Sequence, residues 1–486
     1  MEQFLSSLAL IGIVLIAAAL LSSALERAGV PIAAVFLALG ALLGPLGLGL
    51  VDIGFHSSAL HVLATLGLAL VLFSDAVTVR MSELRAQQKL VWSVLGPGTL
   101  IPAIVIAAAA RLLLGVPLAG AAILGAALAS TDPVLLRGVL RAPSLPAASR
   151  LALRIETGMN DVVLLPIVVL AMLVLREPAG GVAARDVVRS VLGLFLLGPL
   201  LGAAVGWTGI SALTRVRARV GVRRDYESLY ALGLAFGAYA AAEAVGGSGF
   251  VAAFVAGLMV ALQDTELCDC FLEYGEATAE MLLLLTFVAL GTSLMWVGLE
   301  ALDWRVMAFA CIALGTRTVV LYPILVRVGM EKRDRRLVAL FGPRGLSSLL
   351  LVLLPVFAGL PGAERLFAIT SVVVVFSVVV HGAGMGLFVR RHRVVAQPAP
   401  VLTEAVPLPA AARSHDDVPE RITIDEVRAM QARGEPMVIV DARARRAYDA
   451  DTITAAGAIR VNPEDPVRDA TALRLSQRST LVIYCA

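Results

Sequence analysis

Charged side chains are scarce in this chain: Asp, Glu, Lys and Arg together account for 16% of its 486 residues. A soluble globular protein carries about a quarter of such residues, so an ordinary water-soluble enzyme is excluded. Hydrophobic residues make up 59% of the chain. Apolar runs of about 18 or more residues, each able to cross roughly 30 Å of hydrocarbon, recur from Phe4 to Arg390. The sequence therefore predicts a polytopic membrane protein.

Cysteine is also scarce, and nucleotide-binding loops are missing. The four cysteines form no disulfide framework, and Cys268 and Cys270 have no second pair with which to hold a metal ion. Neither a Walker A loop nor a dinucleotide fingerprint occurs, so transport driven by ATP is not expected. We predict no cofactor, no nucleotide and no nucleic-acid partner.

Lys and Arg are distributed unevenly between the loops that join the apolar runs. The richer side of the membrane is expected to be cytoplasmic, which places the N-terminus outside and the C-terminal region in the cytoplasm. With about 13 spans, the predicted helices lie near residues 4–25, 31–50, 59–79, 90–114, 118–140, 150–175, 188–213, 226–244, 248–263, 279–299, 304–327, 335–358 and 365–389.

One apolar run, Leu151 to Leu175, contains two carboxylates, an amide and a hydroxyl between Glu156 and Asp161, where a membrane helix should have none. An ionisable group at bilayer depth costs at least a few kcal/mol, so it marks a functional site by default. On a helix Glu156 shares a face with Asn160, and Thr157 shares a face with Asp161. Oxygen ligands of this kind suit hard cations and protons. The run therefore predicts an ion-translocating site.

Two other spans are interrupted by Pro or Gly together with a charge. Residues 130–133 interrupt the fifth span and carry Asp132, and residues 342–345 interrupt the twelfth and carry Arg344. A matched pair of interrupted spans is the best sequence indicator of a transporter's binding site. We expect the broken helices to cross at the midplane, with Asp132 balancing the positive helix ends there and Arg344 the negative ones.

Five motifs occur in order over residues 1–393: Phe73-Ser74-Asp75 with Arg80, Thr131-Asp132-Pro133, Glu156-Thr157-x-x-Asn160-Asp161, Arg317, and Gly342-Pro343-Arg344-Gly345. With these motifs, residues 1–393 resemble a monovalent cation:proton antiporter of the NhaP/NHE type, in the cation:proton antiporter-1 family. The resemblance implies an all-α NhaA-like fold with inverted repeats and two crossed broken helices, and it implies a homodimer.

The resemblance also implies a role for each matching residue. Asp161 would be the carboxylate that binds the ion and the proton, and Asn160 would line the site beside it. The pair Asn160-Asp161 is similar to that of the electroneutral members of the family. Asp132, Thr131 and Thr157 would line the same sodium site. Aspartate at 75 and threonine at 157 depart from the usual glutamate and serine, which leaves the cation preference open.

Several of these side chains also have purely structural interpretations. For Glu156 and Arg344 the favoured interpretation is a buried ion pair that holds two helices together. Asp132 is equally suited to be a helix-end counter-charge or a ligand. Asp75 and Arg317 are assigned accessory roles.

After Arg393 the composition changes. Residues 394–420 are rich in Ala, Pro and Val and are predicted to be a linker. Strands and helices alternate over 421–486, which favours a parallel sheet. This segment resembles a rhodanese-like (sulfurtransferase) domain, in which Cys485 would be the persulfide cysteine, and we expect the domain to be incomplete. The matching residues are Val438-Ile439-Val440-Asp441-Ala442-Arg443, Tyr448, Ile453, Gly457-Ala458-Ile459, Asn462-Pro463 and Val482-Ile483-Tyr484-Cys485.

The leading functional hypothesis is a secondary antiporter that exchanges Na⁺, Li⁺ or K⁺ for H⁺. Low dielectric disfavours a charged carboxylate, so Asp161 would hold either a proton or a cation. The alternative is a membrane-anchored sulfurtransferase-like or redox-sensing protein whose C-terminal domain is the active part. A third hypothesis joins the two, with the C-terminal domain regulating transport.

Overall fold

The computed structural model divides into two compact units, Met1–Arg393 and Val394–Ala486, and each is described by itself. The predicted linker at 394–420 and most of the first predicted span lie outside the described residues. The structure describes a few positions between 12 and 20, parts of 427–484, and residues 32–391 except 46, 51–52, 56, 80, 141–144, 177–183, 221–223, 264–268, 293–295, 297 and 299–301.

The described part of the first unit is helical. Its first helices are α1 (Ile32–Leu43), α2 (Ser58–Val77), α3 (Met81–Ala86), α4 (Gln88–Leu95), α5 (Pro97–Leu114), α6 (Leu118–Ala129), α7 (Pro133–Leu140), α8 (Ala147–Arg176) and α9 (Ala184–Leu192). A π-helical turn, Gly193–Leu197, joins α9 to the next helix. The remaining helices are α10 (Gly198–Arg219), α11 (Arg224–Ala244), α12 (Gly249–Leu262), α13 (Asp269–Thr292), α14 (Trp304–Val328), α15 (Lys332–Leu340), α16 (Leu346–Phe357) and α17 (Ala363–Arg391).

Six helical segments among the described residues are long and apolar enough to cross a membrane. This confirms the polytopic class, whereas the number of 13 spans and the orientation of the termini stay predictions. The segments differ in burial: two thirds of α2 is buried (67%), against 22% of the segment from α9 to α10. The interior of the bundle is therefore built around helices such as α2, and α10 presents apolar side chains such as Trp207 outward.

The two predicted interruptions are present, and they touch. Ser130 leaves the helical conformation after α6, with φ −63° and ψ 139°, and α7 restarts at Pro133, whose ring disfavours a helical conformation for the residue before it. The second break separates α15 from α16. The Asp132 N–H donates to the Pro343 carbonyl at 3.0 Å, so the two breaks meet as expected from the sequence.

The second unit contains a small sheet of β1 (Met437–Asp441), β2 (Ile459–Arg460) and β3 (Thr480–Tyr484). The strand order is β2-β1-β3, and both pairs are parallel. This confirms the predicted parallel sheet. Cys485 lies outside the described residues, and the rhodanese-like identity of this unit stays a prediction.

A buried ion pair follows β1. The Arg443 guanidinium donates to the Asp441 carboxylate at 2.8 Å, and the Tyr484 hydroxyl donates to it at 2.9 Å. The hydrogen bond from Arg443 is the main reason why the pKa of Asp441 falls to about 2. These contacts join the carboxyl ends of β1 and β3.

Candidate functional site

Asp161 lies near the middle of α8 and is buried. The Ser130 hydroxyl, from the end of α6, donates a hydrogen bond to its carboxylate. Ser347, in the first turn of α16, brings a second hydroxyl to the same carboxylate. Both interrupted spans therefore contribute a hydroxyl to Asp161, and neither serine was among the predicted site residues.

Asn160 and Thr131 are joined next to this carboxylate. The Asn160 side-chain amide donates to the Thr131 hydroxyl at 2.8 Å, and both residues are fully buried. The Asn160 Oδ1 atom is also buried and accepts no hydrogen bond from the described residues. A buried acceptor left unpaired costs about 1–3 kcal/mol, so this oxygen is available to an ion or a water molecule.

Thr157 is buried one turn before Asp161. Its hydroxyl donates to the Leu153 carbonyl of the same helix at 2.9 Å. The proton is therefore directed along the helix, and the oxygen keeps lone pairs for a cation. The predicted ligand stays compatible with the structure.

Asp132 holds the starts of two half-helices. One carboxylate oxygen accepts the N–H of Leu135 in α7 at 3.2 Å, and the other accepts the N–H of Leu346 in α16. A carboxylate at a helix start is favoured by the unpaired N–H groups and by the helix dipole. A Cβ on Gly345 would collide with this carboxylate, which explains why glycine occupies that position. These contacts are those of a helix-end counter-charge, one of the two roles predicted for Asp132, and its role as an ion ligand stays a prediction.

Arg344 is the basic counterpart, and it is fully buried. Its guanidinium donates to the carbonyls of Ala129 and Ser130, at 2.9 Å each. These carbonyls form the C-terminal end of α6, where a cation is favoured. The Arg344 backbone N–H donates to the Ser377 hydroxyl at 2.6 Å, which ties the second interruption to α17.

The predicted ion pair between Glu156 and Arg344 is wrong in its basic partner. Both oxygens of Glu156 accept from the Arg317 guanidinium of α14, at 2.6 and 2.5 Å. Arg317 also donates to the Ala339 carbonyl at 2.9 Å. The physical reason is that the Arg344 guanidinium is already directed to the carbonyls at the end of α6. Arg317, predicted only as accessory, is therefore the structural partner of Glu156.

Gly342, in the second interruption, lies against this pair. A Cβ at that position would meet the Arg317 guanidinium, so the close approach requires glycine. The glycines of the motif at 342–345 therefore make room for the two charged side chains, Arg317 and Asp132, that the interruption must accommodate.

Asp75 is half-buried near the end of α2. A Cβ built on Gly158 would lie 3.8 Å from the Asp75 Cβ, so Asp75 is brought to within about one helical turn of Asp161. Arg80, from the same motif, lies outside the described residues. Sequence reasoning missed Ser130 and Ser347 as partners of Asp161, although Ser130 lies in the first interruption and Ser347 lies two residues after the second.

Comparison with known proteins adds an independent finding. The family described as sodium/hydrogen exchanger, transmembrane, matches residues 12–391. The K(+)/H(+) antiporter NhaP2 of Shewanella oneidensis is 28% identical over 405 residues, which cover 82% of this chain and 69% of that protein. The K(+)/H(+) antiporter NhaP of Alkalimonas amylolytica is 25% identical over 390 residues, which cover 79% of this chain and 66% of that protein.

The fold also matches a solved structure. The sodium proton antiporter MjNhaP1 from Methanocaldococcus jannaschii aligns with a TM-score of 0.63 at 19% identity, over 78% of this chain and 100% of that chain. At this identity the likeness concerns the fold alone.

Proposed function

Because this chain belongs to the sodium/hydrogen exchanger family, we propose that it exchanges a monovalent cation for protons across the membrane, with Asp161 as the site that both ions share. The family makes the chain a transporter rather than an enzyme. The observation that supports the site is the position of Asp161. This buried carboxylate lies where both interrupted spans meet α8, and Ser130 of the first span donates to it.

Competition at one carboxylate is sufficient for exchange. In a site of low dielectric, a bare carboxylate is disfavoured, so Asp161 is stable with either a proton or a cation bound. The Asn160 Oδ1 atom and the Thr157 hydroxyl supply neutral oxygens of the kind that hard cations prefer. Loading one ion displaces the other, and the site changes sides only when occupied.

Electroneutral exchange follows from the identity of the neighbouring residue. Asn160 cannot take up a proton, and both Asp132 oxygens are engaged by helix N–H groups. One proton on Asp161 would then be exchanged for one monovalent cation. A transport current in vesicles under a membrane potential would contradict this stoichiometry.

The cation is proposed from the names of similar proteins and from the site chemistry. Two similar sequences are called K(+)/H(+) antiporters, and the similar structure is that of a sodium proton antiporter. We therefore place K⁺ and Na⁺ as the candidate substrates, with Li⁺ as a third cation for comparison.

The test is dissipation of an imposed pH gradient in proteoliposomes upon addition of K⁺, Na⁺ or Li⁺. Wild type is compared with Asp161→Asn, which keeps the shape and loses the exchangeable proton. Asp186→Asn, an exposed position in α9, is the matched control and should behave as wild type. We expect Asp161→Asn to lose exchange at least about a hundredfold. Exchange retained by that variant would reject Asp161 as the site.

For the second unit, we propose a linker over 394–420 and a rhodanese-like domain over 421–486. The parallel sheet in the order β2-β1-β3 supports an α/β domain of this kind. The alternative, in which this unit alone is active and the helices are an anchor, gives no reason for the buried carboxylate of Asp161. The homodimer and the regulation of transport by this unit stay proposals.

A further inference from the structure

A histidine on α17 is joined to the second interruption through a serine. His381 is half-buried, and Ser377, one helical turn before it, is fully buried. The Ser377 hydroxyl oxygen lies 3.1 Å from the His381 Nδ1 atom. The same oxygen accepts the backbone N–H of Arg344 at 2.6 Å. The imidazole is therefore one hydrogen bond removed from the backbone of the interruption.

The Ser377 hydroxyl differs from two other hydroxyls of α17 in the acceptor of its proton. Thr370 and Ser371 donate to carbonyls four residues earlier in the helix, at 2.8 and 2.9 Å. Among the described residues Ser377 makes no bond of this kind, and the acceptor within reach of its proton is the His381 Nδ1 atom. A buried donor without an acceptor is costly, so the Ser377 proton is assigned to the imidazole.

The direction of this hydrogen bond determines the form of the histidine. Nδ1 can accept the Ser377 proton only through a lone pair, so His381 is the neutral tautomer with its proton on Nε2. The opposite form would direct an Nδ1–H toward the Ser377 carbonyl, which lies at 3.2 Å. In that form the Ser377 proton would have no acceptor among the described residues. Of the two forms, the neutral Nε2–H tautomer satisfies the histidine, the serine and the Arg344 N–H together.

The backbone that this serine holds leads directly into the candidate site. The N–H of Leu346, two residues after Arg344, donates to the Asp132 carboxylate. Ser347 is the next residue, and it brings its hydroxyl to the Asp161 carboxylate. A shift of the Arg344 backbone would therefore displace both contacts, together with the start of α16.

We propose that neutral His381 is a positioning residue for the ion site, and that it acts through Ser377 on the second interruption. This inference rests on the proposed function. Residues 341–345 form no helix, so the position of this segment depends on contacts such as the one with Ser377. His381 orients the Ser377 hydroxyl, whose oxygen then presents a lone pair to the Arg344 N–H. Removal of a group that orients the ligands of an ion commonly weakens ion binding, so His381 should influence the affinity for the cation.

The transport test compares His381→Leu with His381→Asn. Leucine removes the acceptor, whereas the asparagine Oδ1 atom is attached through the same number of bonds as Nδ1 and can accept the Ser377 proton. We expect the apparent KM for the cation to rise about three- to tenfold in His381→Leu, with an unchanged maximal rate per folded protein, and to stay within about twofold of wild type in His381→Asn.

Two results would overturn the proposal while wild type exchanges ions. One is an unchanged KM in His381→Leu, and the other is an equal rise in KM for the leucine and asparagine variants. A role in folding alone would lower the amount of folded protein and leave KM as it is. Absence of exchange by wild type would instead overturn the proposed function.

The path through Ser377 is tested in the same assay. Ser377→Ala should raise KM as His381→Leu does, and the double variant should add no more than about a further twofold, because both changes remove one hydrogen-bonded chain. Ser371→Ala is the control, because this hydroxyl donates within its own helix, and it should leave KM unchanged. Effects of His381→Leu and Ser377→Ala that multiply independently would contradict the proposed path.

A third measurement does not depend on transport. Solid-state ¹⁵N NMR of the protein in lipid bilayers, labelled at its five histidines, distinguishes a protonated from an unprotonated Nδ1 atom. The His381→Asn variant identifies the signals of His381 by their loss. We expect an unprotonated Nδ1 and a protonated Nε2 at neutral pH, and a shift of the Nδ1 signal in Ser377→Ala. A protonated Nδ1 atom in wild type would overturn the proposal.

Discussion

Of the two interrupted spans, the first carries an acid and the second a base, and the two charges are used in different ways. Asp132 accepts N–H groups from both half-helices that start at the crossing, through Leu135 of its own span and Leu346 of the other. Arg344 donates its side chain to the end of a single helix, α6, at Ala129 and Ser130. The acid therefore joins the two interruptions symmetrically, whereas the base acts on only one of them.

The two charges also differ in how fully they are paired. Both Asp132 oxygens are engaged, but the Arg344 Nε and Nη2 atoms are buried and donate to no described residue. An unpaired buried donor is costly, so the second interruption keeps unused hydrogen-bonding capacity next to the ion site. The two interruptions are therefore held differently. We call the contacts of Asp132 the rigid junction, because both of its oxygens accept hydrogen bonds, whereas Arg344 keeps unused hydrogen-bond donors.

The largest effect is expected when the rigid junction is broken. Asp132→Ala removes acceptors from two buried helix starts, and we expect a loss of about 3–5 kcal/mol in the free energy of unfolding together with loss of exchange. Unfolding by SDS in mixed micelles measures the free energy of unfolding, and dissipation of a pH gradient in proteoliposomes measures exchange. Asp132→Asn keeps one acceptor and should lose about half as much stability. If Asp132→Ala were as stable as wild type, the conclusion that Asp132 holds the two interruptions together would be wrong.

The second prediction concerns the assignment of the two buried arginines. In double-mutant cycles, Glu156→Gln with Arg317→Gln should show a coupling of about 1–3 kcal/mol, because both Glu156 oxygens are bound by Arg317. The cycle of Glu156→Gln with Arg344→Gln should give less than about 1 kcal/mol. Unfolding in mixed micelles measures both cycles, and a reversed order would restore the pairing predicted from the sequence.

A smaller effect is expected for Arg344→Lys. A lysine ammonium can reach one or two carbonyls at the end of α6 but lacks the planar guanidinium that donates to both from one nitrogen. We expect a loss of about 1–2 kcal/mol in stability and reduced but measurable exchange. If Arg344→Lys were as damaging as Asp132→Ala, the base would be as central to the crossing as the acid.

The smallest effect is expected at Ser377, which ties the second interruption to α17. Ser377→Ala removes the acceptor of the Arg344 backbone N–H, and we expect a loss of about 0.5–1.5 kcal/mol in the free energy of unfolding. Ser371→Ala is the control, because the Ser371 hydroxyl donates only within its own helix, to Phe367. If Ser371→Ala lost more stability than Ser377→Ala, the hydrogen bond between Ser377 and the Arg344 N–H would not stabilise the second interruption.

The sequence was sufficient to predict where the spans break and which charges lie at the breaks. Pro133 and Pro343 interrupt apolar runs, and a charge at bilayer depth is rare enough to be informative. The partner of Glu156 was not predictable in the same way. Two buried arginines were available, and the choice between them depends on the direction of each guanidinium, which linear spacing does not determine. Ser130 and Ser347 were missed because linear spacing likewise does not show where a serine hydroxyl points.

The hydrogen bond between Asp132 and Leu346 joins positions 214 residues apart in the chain. During synthesis the early half of the protein enters the membrane long before α16 exists, so Asp132 must then do without the Leu346 N–H. Lipid offers no donor in its place. We expect the nascent chain to keep α6 and α7 beside the insertion machinery or in contact with water until the twelfth predicted span has been made. The order in which the ribosome delivers the two broken helices is therefore part of how this site is assembled.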